Sequence, residues 1–354
     1  MKRIGFLTFG HWGSAPGTRT PTARDAHLQT IELAEAAEAI GLDGAYVRVH
    51  HFARQLATPF PLLAAIAART SRIEIGTAVI DMRYENPLHM AEQAAAADLI
   101  SGGRLQLGVS RGSPEPALRG YEAFGHVPEP GSTAADMARE HTRAFRNAIR
   151  GAAVVRADPS MHNTSAPLPV QPQSPGLDER IWWGSGSRET ARWVAEQGMN
   201  LQSSTLLIED TGVPFGELQA EQIAIFREAW AAAGWTREPR VSVSRSVIPI
   251  TTDEDRRWFG LSRRSGEDHL GELEGTIARF GRSYTGEPDV IAEELAADPA
   301  VQAADTLLLT VPNQLGVEYN ARMLETLAEH VLPALGWRRA GAPAAAGEAG
   351  ASGP

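Results

Sequence analysis

The chain has 354 residues, 33 of them Lys or Arg against 43 Asp or Glu, for a formal net charge of −10. That deficit of cations excludes a broad phosphate-neutralising surface for nucleic acid and leaves room only for local basic pockets. The lack of any cysteine excludes disulfides, thiolate metal ligands and cysteine nucleophiles.

With 43% hydrophobic and 21% charged residues, the composition is that of an ordinary globular chain with a substantial core. The apolar run at residues 4–9 is too brief for a secretory leader, and no small-residue cleavage site follows it. No apolar stretch is long enough to cross a bilayer. A cytoplasmic location is the expectation.

Residues 4–9 read as a first strand, and residues 10–23 as a Gly-, Pro- and Thr-rich loop. Such a loop after a strand is either functional or a surface excursion. Residues 25–40 are helical up to Gly41, and 43–49 form a second strand that delivers His50, His51 and Phe52. Residues 58–68 form a helix that tolerates Pro59 and Pro61 in its first turn. Residues 72–80 are rich in β-branched side chains and give a third strand. Residues 88–100 form an Ala-rich helix opened by Pro87 and closed by Gly102 and Gly103. Residues 105–109 are a fourth strand, ending in Ser110-Arg111-Gly112.

Residues 112–131 lack periodicity and read as a second rim loop, 133–149 as a helix, and 154–179 as an irregular insertion with a short hairpin. Strands follow at 180–183, 199–203, 240–250 and 305–310, and helices at 188–197, 217–233 and 318–335. Residues 253–280 read as broken helix, with a further helical piece at 290–297. Eight strands alternating with helices predict an α/β fold, a (β/α)8 TIM barrel with loop insertions, over residues 1–338 as one domain. The Ala-, Gly- and Pro-rich tail at 339–354 has nothing to build a core from and is expected to be disordered.

Candidate sites follow from strand ends, where such barrels place their chemistry. His50 and His51 are neighbours after a strand, so they point in opposite directions, and only one faces the mouth. On its own, a strand-end His serves as a structural hydrogen-bonder more often than as a catalyst. Arg111 offers a forked donor for an anion, with Gly112 allowing close approach, or else forms a surface ion pair. Gly184-Ser185-Gly186-Ser187, with Thr190 three residues on, leads into a helix whose N-terminus suits a phosphate. Ser187 is equally a plain N-cap. Trp12 is a possible wall of the mouth, Asp81 and Arg83 a possible surface pair, and Arg245 a possible interior cation. No H-x-H spacing lies near a strand end, so no metal site is expected.

The order and spacing of Ala68-Arg69-Thr70-Ser71-Arg72-Ile73, Ile75-Gly76-Thr77-Ala78, Pro87, Ala91-Glu92-Gln93, Ser101-Gly102-Gly103-Arg104, Gly108 and Arg111-Gly112 resemble the bacterial luciferase-like, flavin-dependent monooxygenases. The resemblance extends over nearly the whole chain except its last segment. It implies a monooxygenase that uses reduced FMN as co-substrate and passes one atom of O2 to a small organic substrate through a flavin peroxide adduct. A separate flavin reductase would supply the reduced flavin, and the protein would be a homodimer. It also implies His50 as the acid/base beside the flavin, poised near neutrality, with Ser110 near the ring's reactive edge. Thr77 and Ala78 would lie under the ring, with a cis peptide at Ala78–Val79, and Arg111, Gly186, Ser187 and Thr190 would hold the FMN phosphate. The family's Glu-His-His-Phe reads Val49-His50-His51-Phe52 here, so the Glu is missing. The same superfamily contains hydride-transfer enzymes that use F420, and chains that bind flavin without catalysis; these are the alternatives.

Overall fold

The computed structural model describes residues 2–112, 116–162, 165–208, 212–260, 269–273 and 276–340. Eight parallel strands form its centre: β1 (Arg3–Thr8), β2 (Gly44–Val47), β3 (Glu74–Asp81), β4 (Leu105–Ser110), β5 (Ile181–Ser185), β6 (Asn200–Ser203), β7 (Val241–Pro249) and β8 (Thr306–Thr310). Each pairs with the next, and β8 pairs with β1 through Arg3↔Thr306, which closes the sheet. Closure removes every edge among these eight strands. The result is the expected (β/α)8 barrel.

Helices α1 (Ala23–Ile40), α2 (Pro59–Arg69), α3 (Pro87–Ser101), α4 (Ala134–Ile149), α5 (Arg188–Glu196), α6 (Phe215–Ala232), α7 (Pro288–Ala296) and α8 (Gly316–His330) surround the sheet. Local chemistry sets their ends. Thr22 and Asp25 make a reciprocal capping box on α1, and Thr133 and Asp136 do the same on α4. Asn86 accepts from the Leu88 and His89 N–H groups ahead of Pro87, and Gly102 closes α3 in the left-handed region at φ 68°. The core lies between sheet and helices, where outward-facing residues such as Ile4, Phe6, Ile75, Leu107 and Val243 are fully buried.

Inward-facing residues alternate with these at period two. Tyr46, Gln106, Trp182 and Gln202 are the large ones, and they fit because their neighbours have no side chain. A Cβ on Gly76 would come within 2.7 Å of the Tyr46 ring, and one on Gly108 would meet Gln202 Oε1 at 2.3 Å. At the N-terminal end Glu74 gathers Arg3 Nη1 at 2.7 Å and Arg240 Nη1 and Nη2 at 2.9 and 3.0 Å. Tyr46 donates to the same carboxylate at 3.3 Å. Just outside, Asp43 accepts from the Ile4 N–H at 2.9 Å and from Trp337 Nε1 at 2.8 Å, tying a late residue to the first strand.

The structure departs from the sequence reading in places. The described residues within 253–280 are not a broken helix: among them a helix spans only Asp253–Phe259, and His269–Leu273 pairs antiparallel with Thr276–Phe280, while residues 261–268 and 274–275 of that reading lie outside the described residues. That hairpin extends onto Leu206–Leu207, and Tyr284–Gly286 adds a short strand beside β7. Arg245 does not face the interior. Ser242 and Ser244 do, so the alternation turns Arg245 outward, where its Nε donates to Asp298 at 2.8 Å and Tyr284 donates to the same carboxylate at 2.6 Å. Burial of this pair raises the Tyr284 phenol, while Arg245 holds the Asp298 carboxyl below its usual range. The expected short hairpin in the insertion is present, as Ala153–Arg156 with Pro167–Pro169. The tail expected to be disordered falls, from residue 341 on, outside the described residues.

Candidate active site

At the C-terminal end of the barrel the strands open onto a cavity of about 450 Å3, a size suited to a cofactor or small ligand. Its floor is Leu7, Ala78, Gly184, Gln202, Ser242, Ser244 and Leu308, all contributed by strands. The Ala78–Val79 peptide is cis, and it coincides with a slip in the β3–β4 register between Thr77 and Ile80. A Cβ on Gly184 would sit 3.2 Å from Val79 Cγ1 and 3.4 Å from Ser110 Cβ, so the glycine keeps this part of the floor flat.

On the β4–β5 side Ser110, Arg111, Gly112 and Gly186 form the wall. Gly112 adopts φ +96° and donates its N–H to Ser110 Oγ at 3.1 Å. Arg111 is exposed and makes no ion pair among the described residues. Ser187 caps α5, accepting the Thr190 N–H at 3.2 Å and donating to Thr190 Oγ1 at 3.0 Å. The segment after β6 folds back here: Ser204 N–H donates to Ser185 O at 2.8 Å and Ile208 N–H to Gly186 O at 3.1 Å. Ser204, Thr205, Leu206 and Ile208 thereby join the wall. The sequence singled out none of them, since their placement depends on a long-range fold-back.

The β2 side differs most from expectation. Arg48, not His50, lines the cavity. Arg48 Nε donates to His50 Nε2 at 2.9 Å, and its Nη1 lies 3.5 Å from Ala78 O. Burial and the Arg48 charge push the His50 imidazole down to about 4, so it is neutral at pH 7 and not poised near neutrality. His51 turns the other way and stacks on Tyr84 with ring centroids 4.1 Å apart. The one sequence signal for Arg48 was its phase, two residues after the inward-facing Tyr46.

Thr77 is not brought to the cavity by its side chain. Its hydroxyl donates to Gly108 O at 2.7 Å, while its carbonyl accepts from Gln202 Nε2 at 3.1 Å. Gln202 Oε1 is buried at the cavity floor without a hydrogen-bond partner among the described residues, an acceptor that suits a ligand N–H. Trp12 lies under the Arg54 guanidinium and away from the cavity. Asp81 and Arg83 are a half-buried fork, Nη2 to Oδ2 at 2.6 Å. Glu85, buried beside Asp81, is pushed up to about 7.

The family described as luciferase-like monooxygenase matches residues 1–259. The chain belongs to that family. It is 22% identical over 343 residues to the oxygenase component of flavin-dependent trigonelline monooxygenase from Acinetobacter baylyi, covering 88% of this chain and 91% of that one. Among solved structures, monooxygenase RslO1 from Streptomyces bottropensis superposes with a TM-score of 0.71 at 20% identity, over 94% of this chain and 99% of that one. The FMN complex of the oxygenating constituent of 3,6-diketocamphane monooxygenase from Pseudomonas putida gives 0.67 at 18%, over 94% and 99%. An F420-dependent secondary alcohol dehydrogenase gives 0.62 at 16%, over the same shares. Membership makes this chain an enzyme of the flavin-dependent monooxygenase class, with a flavin-type cofactor. No helix among the described residues is long and apolar enough to cross a membrane.

Proposed function

We propose that this protein is the oxygenase component of a two-component monooxygenase, using reduced FMN delivered by a separate flavin reductase. The observation that carries this reading is one cavity that joins Arg111 and the Gly186 turn at one side to the glycine-flattened Ala78–Val79 floor. The residues fit FMN. Arg111, Gly186, Ser187 and Thr190 would hold the phosphate, helped by the positive end of the α5 dipole. Ala78 and Val79 would support the ring, and Gln202 Oε1 would accept from it. When bound, reduced FMN supplies the electrons that activate O2.

The protein's own part is to bind, orient and exclude water. Ser110 accepts from Gly112 and keeps its hydroxyl proton for donation at the cavity wall. His50 acts as a neutral acceptor that fixes Arg48, and serves the chemistry through that contact. We also propose a homodimer, supported by Leu88, Leu99 and Ile100, which leave α3 exposed.

The test is anaerobic titration with reduced FMN and with F420, followed by isotopically heavy O2 and a panel of organic substrates. Selective binding of FMN, with one heavy oxygen in the product, is the expected outcome. Binding of F420 in its place, with hydride transfer and no oxygen incorporated, would replace this reading by the F420 one.

A further inference from the structure

Strand β7 contains the run Val241-Ser242-Val243-Ser244-Arg245-Ser246-Val247. Its period of two sends Val241, Val243 and Val247 into the core behind the sheet, where all three are fully buried. The serines take the other phase, and Ser242 and Ser244 line the cavity. Ser242 is only 3% exposed. Among the described residues neither of these two hydroxyls has a hydrogen-bond partner, for Arg245 Nη1 reaches only the Ser244 carbonyl, at 2.9 Å. A buried hydroxyl aimed into a cavity is stabilised when the occupant of that cavity pairs with it.

The surroundings of this row are apolar. Ser244 pairs with Leu308 on β8, and β8 pairs in turn with β1, which supplies Leu7. Leu308, Leu7 and Phe9 line the cavity beside the serines. The polar row ends below, because Thr306, the partner of Ser242, already accepts from Arg240 Nη2 at 3.2 Å. Around the closed sheet β7 is four strands from β3 in either direction, so the serines and the Ala78–Val79 peptide stand on opposite sides of one cavity.

A hydroxyl donates one hydrogen bond and accepts others without carrying charge. Two of them set in a hydrocarbon wall recognise an uncharged oxygen on an apolar body. We propose that Ser242 and Ser244 form the substrate subsite of this cavity, taking a carbonyl or hydroxyl oxygen of an organic molecule whose hydrocarbon part lies on Leu7, Phe9 and Leu308. The assignment rests on the flavin reading in one respect, that the ring occupies the Ala78–Val79 side and leaves β7 to the substrate.

The experiment uses the full chain, with and without FMN, and fluorine NMR titration with two pairs of probes. One pair is para-fluoroacetophenone and its analogue with a methylene group in place of the carbonyl oxygen; the other is para-fluorobenzyl alcohol and para-fluorotoluene. In at least one pair the oxygen-bearing probe should bind roughly threefold to tenfold more tightly, the usual worth of a neutral hydrogen bond. The pair that shows the preference tells carbonyl from hydroxyl. Ser242→Ala combined with Ser244→Ala should erase it while leaving the hydrocarbon probes, FMN affinity and the unfolding midpoint unchanged. Ser244→Thr, which keeps a hydroxyl, should retain part of it. Equal binding within both pairs, no binding of either oxygen-bearing probe, or a preference that survives the double alanine variant would each overturn the assignment. A threefold or greater loss of FMN affinity in that variant would give the serines to the cofactor and overturn it too. If the wild type bound no FMN yet showed a preference that the serines carry, the flavin reading would fall and this one would stand.

Discussion

At the N-terminal end of the barrel one carboxylate, Glu74, is gripped by two guanidiniums, a phenol and the Gln106 amide. At the C-terminal end three guanidiniums line a cavity with no carboxylate in its described wall. Both ends use arginine, yet at the first two guanidiniums close on one hydrogen-bonded carboxylate, while at the second the guanidiniums border a cavity. A guanidinium closed on a carboxylate at the barrel floor holds the structure together; one at a cavity wall is placed to meet a ligand. This is the division of labour expected of such barrels, with stability at the bottom and chemistry at the top. Of the acids near the mouth, Asp81 is paired with Arg83, and Glu85, pushed up to about 7, holds its proton below that pH.

The sharpest way to break the comparison is Glu74→Ala. Arg240, largely buried, would be left without its carboxylate, and stability should fall by about 3–5 kcal/mol, read from denaturant unfolding. FMN affinity of the folded fraction should not change. The complementary variant is Arg111→Ala, where the order reverses. FMN binding should weaken by about 1.5–3 kcal/mol while the unfolding midpoint stays put. If Arg111→Ala instead cost stability and spared FMN, the phosphate assignment would be lost.

The smallest effect concerns Glu85. Its folded value, about 7, lies above that of an unfolded carboxyl, so the unfolded chain releases the proton first as pH rises. Stability therefore declines between about pH 4.5 and 7 on account of this group. Glu85→Gln should add about 1–2 kcal/mol at pH 8 and little at pH 4. A variant with the same gain at both values would show that charge is not the cause. His50 works in the opposite window: its depressed value, about 4, makes the protein lose stability as pH falls from about 6.5 toward 4.

Much of the barrel was legible because strand identity depends on local composition and period. The run 72–80 and the Pro87-to-Gly102 helix needed no long-range information. The hairpin of His269–Leu273 and Thr276–Phe280 did, because Glu- and Leu-containing segments satisfy helix propensity until pairing overrides it. The site divided along the same line. Arg111 and Gly186, which line the cavity, directly follow strands, where the local pattern alone leads one to expect them. For Arg48 that pattern is not enough, because its meaning depends on which face of β2 turns inward. Reading His50 as the group at the mouth followed the motif; the alternation from Tyr46 would have pointed to Arg48 as well. Arg245 was read on the wrong face for want of the same check.

The contact of Trp337 with Asp43, and the seating of β8 between β7 and β1, have a consequence for biosynthesis. While the ribosome is still translating, β1 lacks one of its two neighbours until residue 310 has emerged, and Asp43 lacks its indole partner until residue 337 has. The nascent barrel is therefore an open sheet with unsatisfied rims for most of its synthesis. Closure of the barrel, and with it the loss of its exposed strand edges, therefore waits on the last part of the chain.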